Sequence, residues 1–111
     1  MNPTLKQIHD MLLAQHIALA QALDDATDPG QAKAILMEMQ EVLHRINLVQ
    51  NLLFADASKQ LDAMLPGIKQ ANDALTASIQ NIGDAATFLT STSNFLKGVD
   101  QAIDIAKTLA V

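Results

Sequence analysis

A chain of 111 residues holds one domain's worth of core, and its lack of cysteine excludes disulfides, thiolate nucleophiles and cysteine metal sites. The formal net charge is −5, with three basic against six acidic residues in 1–55 (−3) and four against six in 56–111 (−2). No basic patch forms, which argues against a nucleic-acid partner and against polybasic attraction to anionic lipid. The apolar half of the composition is mostly Ala, Leu, Ile and Met, while Trp and Tyr are absent and Phe occurs three times. Those are helix formers, so the chain reads as all-α.

The first helix is expected to start at Pro3, behind Asn2 as N-cap, and to end near Asp24 or Asp25. Leu5, Ile8, Leu12, Leu19 and Ala22 form its apolar stripe, widened by Leu13, Ile17 and Leu23. Met11 to Leu23 is the longest uncharged run, but it is too short and too polar to span a bilayer. Ala20-Gln21-Ala22 has the look of a signal cleavage site; Asp10, Gln15 and His16 spoil the segment that should precede it. A cytoplasmic location is therefore favoured, with non-classical secretion left open.

Asp28-Pro29-Gly30-Gln31 reads as the start of a second helix, with Gln31 placed to reach back as in a capping box. The short link Thr27 to Gly30 favours an antiparallel hairpin over 3–54, in which facing residue numbers sum to about 54. Ile35, Met39, Val42, Ile46, Val49 and Leu53 step by fours and threes along an inward seam, flanked by Leu36 and Leu43. The helix is expected to reach Phe54, and then either to break at Asp56 or to continue to Leu65. Pro66-Gly67 is the stronger punctuation, because a residue before proline avoids the α region.

In the C-terminal half, 57–110, Leu61, Ile68, Leu75, Ile82, Leu89, Leu96 and Ile103 recur every seven residues. The companion column changes sides, from Leu65, Asn72 and Ile79 to Ala85, Thr92, Val99 and Ala106. That places a helix break at Gly83-Asp84, with Gly83 past the end of one helix and Asp84 capping the next. Asn72 sits in a core-type column, where a buried amide can fix register; the competing reading, which the sequence favours, turns it to water beside Asp73 and moves the core to Ala71. Gly98 falls on the polar side of the last helix, at a cost of roughly 1 kcal/mol against Ala.

Chemistry-bearing groups are sparse. His9 lies level with His44 and Arg45 across the hairpin, and His16 with Glu38. Glu41-x-x-His44 has the spacing of a di-iron ligand element, but such a site needs further glutamates and the chain has only Glu38 and Glu41. His9, Glu41 and His44 are thus weak metal candidates, and no metal or other cofactor is expected. The four glycines are isolated, so no phosphate loop exists, and no serine has a His–Asp context. Catalysis is not expected.

The fold expected is a three- or four-helix bundle built from hairpins within one domain, and oligomeric. From Ala74 to Leu96 the only charged residue is Asp84, and mean hydropathy is positive. A small monomer with a broad apolar stripe and so few charges has little to keep it from associating. The expected function is helix-to-helix association, as self-assembly, adaptor or chaperone, with itself or another helical protein as partner. Leu75, Ile79, Ile82, Phe88, Leu89, Phe95, Leu96, Val99 and Ile103 are the candidate interface. The alternative is a secreted protein acting on membranes or lipid surfaces, against which stands the scarcity of Lys, Arg and Trp.

Overall fold

The computed structural model describes residues 1–109 and contains four helices: α1 (Pro3–Asp25), α2 (Pro29–Gln50), α3 (Lys59–Gln80) and α4 (Ala85–Leu109). No strand occurs among the described residues. Each helix starts on a side chain that accepts a hydrogen bond from an otherwise orphaned backbone N–H. Asn2 takes that of Leu5 at 3.1 Å, Asp28 that of Gln31 at 3.0 Å, Ser58 that of Leu61 at 3.3 Å and Asp84 that of Thr87 at 3.1 Å.

α1 packs on α2, α3 on α4, α1 on α3 and α2 on α4. The two hairpins therefore lie side by side, with α2 and α3 at opposite corners. Pairings fix the directions: Thr4 donates to Asp62, and Gln15 reaches Asn72 and Thr76, so α1 and α3 run parallel. Arg45 reaches Asp100, so α2 and α4 do too. The crossing segment 51–58 has to pass over one end of the bundle, and Asn2 ties it there. The backbone N–H of Asn2 donates to the Leu53 carbonyl at 2.6 Å, and its side-chain amide donates to the Ala55 and Asp56 carbonyls at 3.3 and 3.1 Å. One residue thus caps α1 and fixes the only diagonal connection.

The core runs the length of the bundle: Leu5, Ile8, Leu12 and Leu19 from α1, Ile35, Val42, Ile46 and Val49 from α2, Leu61, Ile68, Leu75 and Ile79 from α3, and Phe88 and Phe95 to Ala106 from α4. Its polar inclusions tie α3 to its neighbours α1 and α4. The buried Gln15 amide donates to the Asn72 carbonyl, the Asn72 side-chain oxygen and the Thr76 hydroxyl, at 3.2, 2.7 and 2.9 Å. Ser78 and Ser91 join α3 to α4 through a 2.7 Å hydroxyl pair.

Several expectations need correction. α2 stops at Gln50 rather than reaching Phe54, because the Leu53 carbonyl is taken by Asn2 and 51–55 turns to make the crossing. The cap of α3 is Ser58, not Asp56. Pro66 does not break the chain: it lies inside α3, on an exposed position, and Leu61, Ile68 and Leu75 anchor the helix on both sides of it. Gly83 is not in the left-handed region; α3 ends on Asn81, whose N–H bonds to the Ser78 carbonyl. Gln31 caps with its backbone alone, since its side chain donates to the Ile82 carbonyl at 3.4 Å. Asn72 is half-buried in the Gln15 network instead of turned to water. Gly98 faces α3, where a Cβ would come within 3.2 Å of Ile68.

Candidate functional site

Of the nine residues picked for an interface, seven are inside this chain's own core: Leu75, Ile79, Phe88, Phe95, Leu96, Val99 and Ile103. Ile82 is half-buried, and Leu89 alone is open, at 45% exposure. Two hairpins cover each other's seams, so the apolar column of the second half is spent within the bundle. None of the seven can meet a partner unless the bundle opens.

The ionisable groups gather around Arg45. Its guanidinium spans Asp100 on α4, at 2.7 and 3.0 Å, and Glu41 on its own helix, at 2.8 Å. Burial works to lower its pKa, but the hydrogen bonds to Asp100 and Glu41 outweigh it and hold the group above its ordinary value. Burial raises the Glu38 carboxyl, repulsion from Glu41 adds to that, and Arg45 offsets part of it. Asp84 is held low by the Thr87 backbone and hydroxyl donors. Glu41 is thus an ion-pair partner of Arg45, while His44 is exposed and both ring nitrogens of His9 are hidden without a partner. Among the described residues no group of three or more His, Asp or Glu converges as metal ligands would.

A cavity of about 390 Å³ opens where α2 and α4 begin, over a floor of Ile35, Ile82 and Phe88. Its mouth holds Asp28 and Gln31, both engaged in caps or in the Ile82 contact. A small-molecule site needs convergent free polar groups on such a floor, and they are missing here. No described helix is long and apolar enough to cross a membrane.

The conspicuous surface feature is on the first hairpin. Leu13, Ile17, Leu36, Met37 and Leu43 are all exposed, Ile17 at 60%. Thr4 and Gln15 mark the flank of α1 that meets α3, and Leu13 and Ile17 lie on the side remote from it. Arg45 marks the flank of α2 that meets α4, and Leu36 and Leu43 lie on the side remote from that. The four therefore share the outer face of the hairpin. On α1 this face continues as Lys6, Asp10, Leu13, Ile17, Ala20 and Asp24; on α2 it runs Lys33, Leu36, Gln40, Leu43 and Asn47. Both step by fours and threes, so each column keeps to one side of its helix, with two large apolar residues near its middle and polar residues around them. The sequence reading had absorbed Leu13, Ile17, Leu36 and Leu43 into the inward stripes as flanking residues. The signal that separates them is their width: a helix with three neighbours' worth of apolar arc has more than one core can take.

Comparison with protein families, with curated proteins and with solved structures finds no match for this chain.

Proposed function

We propose that the chain is a non-enzymatic helical interaction module that docks other helices on the outer face of its first hairpin. One observation carries this reading: four large aliphatic side chains, Leu13 and Ile17 on α1 and Leu36 and Leu43 on α2, remain exposed on one face after the four helices have closed a complete core. Leu13, Ile17, Leu36 and Leu43 are 40, 60, 45 and 46% exposed, and an apolar patch of this kind on a small monomer is often functional. Straight, parallel apolar ridges suit an α-helical partner, whose own ridge fits the groove between α1 and α2. The bundle itself acts as a rigid support, with its polar networks hidden on the other side.

Substituting both Ile17 and Leu36 with Lys leaves the core untouched, because both side chains are exposed. The doubly substituted chain is expected to keep its helicity and thermal transition while losing every complex larger than one chain, whether with itself or with a helical partner. Complexes that form equally well with the Lys variant contradict the reading.

A further inference from the structure

Building on that reading, we infer that the occupant of this face is a second copy of the same chain, related by a two-fold axis that crosses α1 near residue 15 and α2 near residue 39. An isologous interface requires a surface that maps onto itself when turned over. The outward seam of α1 does so. About a centre at residue 15, Leu13 falls opposite the partner copy's position 17, Lys6 opposite position 24, and Asp10 opposite position 20. On α2, Leu36 falls opposite position 43 about a centre between 39 and 40.

These two centres are independent, one read from each helix, yet one axis must pass through both. In the hairpin, the link centred on residue 27 makes facing residues sum to about 54, and 15 and 39–40 meet that sum. The two self-complementary patterns are therefore level with each other. A surface evolved for an unrelated helix has no reason to possess this symmetry.

Charge follows the same rule. The middle of the face, from Met11 to Leu23 on α1, carries no charge, and the ends carry Lys6 at one extremity and Asp24 at the other. Asp24 makes no ion pair among the described residues. Turning one copy over brings Lys6 of each to Asp24 of the other, twice per dimer. Lys6 pairs with Asp10 within its own chain, so it would stand between two carboxylates.

The chain's lack of cysteine makes the register directly testable. Sedimentation from low to high micromolar concentration should give a dimer that dissociates on dilution. Ile17→Lys with Leu36→Lys should weaken it at least ~100-fold. Asp24→Lys should weaken it too, and Lys6→Asp added to Asp24→Lys should restore it; these two changes touch only exposed side chains. Under oxidation, a mixture of Leu13→Cys and Ile17→Cys chains should cross-link as the mixed pair. Each alone should do so poorly, since like positions are about 6 Å apart along the axis. A wild type that is monomeric at every concentration overturns the second copy but not the docking reading, which fails only if capture of a helical partner ignores the Lys substitutions. A dimer whose Leu13→Cys chains cross-link as well with themselves as with Ile17→Cys chains overturns the proposed axis.

Discussion

The two hairpins solve the same packing problem with different surfaces. The second, α3 and α4, buries Phe88, Phe95, Leu96, Val99 and Ile103 and closes up on small residues: Gly98 admits Ile68, and Ser78 bonds to Ser91. Its outer positions mix Lys and Asp with Thr, Ser, Asn, Gln and Ala, and among its large apolar side chains only Leu89 is open. The first, α1 and α2, buries an equally regular seam yet leaves Leu13, Ile17, Leu36, Met37 and Leu43 in water. Low charge density is thus a poor guide to a sticky surface. The stretch 74–96, with a single charged residue, hides its apolar side chains, while the better-charged first half exposes more.

Six substitutions sharpen this contrast, each read by urea denaturation. The largest effect falls on the heptad column of α4. Leu96→Asp places a carboxylate at a site 6% exposed and should cost several kcal/mol, about 3–5 or more, enough to unfold the chain. Leu89→Asp, one heptad earlier and 45% exposed, should change stability by no more than about 1 kcal/mol. Equal losses at the two sites would mean that Leu89 is covered. Next is Gly98→Val, expected to cost about 1–3 kcal/mol by pushing α4 off Ile68, although valine ordinarily favours a helix over glycine. A neutral or stabilising result would show that the hairpin is loosely packed there.

Asn2→Ala removes both a cap and the tie on the crossing segment, and should cost about 2 kcal/mol, more than a cap alone. Ser58→Ala is the control, worth about 1 kcal/mol. Similar losses in the two variants would leave Asn2 an ordinary cap. The smallest effect is pH-dependent. The Glu38 carboxyl is raised in the folded state, so its contribution to stability is complete below its unfolded value and fades as pH rises through the folded one. Glu38→Gln should therefore be more stable than the parent at neutral pH, with the gap closing under acid conditions. A gap that widens on acidification contradicts the burial of that carboxylate.

Much of the architecture is legible in the residues themselves, because local chemistry decides it. Asn2-Pro3 and Asp28-Pro29 announce helix starts through geometry that no tertiary contact has to supply, and Asp84 does the same at the start of α4. In the seven-residue column from Leu61 to Ile103, Leu61, Ile68, Leu75, Leu96 and Ile103 are buried because α3 and α4 face one core, while Ile82 in the turn is half-buried and Leu89 is open. What escapes is set by distant partners. Pro66 continues a helix, against its own preference, because buried neighbours on both sides outweigh one lost hydrogen bond. The end of α2 depends on Asn2 at the far end of the first hairpin's sequence, and the choice between the inward and outward arcs of α1 depends on where α3 lies. Core and surface share one period, so only the arrangement of four helices distinguishes Leu12 from Leu13.

Self-association through the outer face of α1 and α2 is tested residue by residue by a dilution series of amide NMR spectra. The amides of Leu13, Ile17, Leu36 and Leu43 should shift together with concentration while those of α3 and α4 stay fixed. Concentration-dependent shifts centred on α3 or α4, or none anywhere, would contradict it.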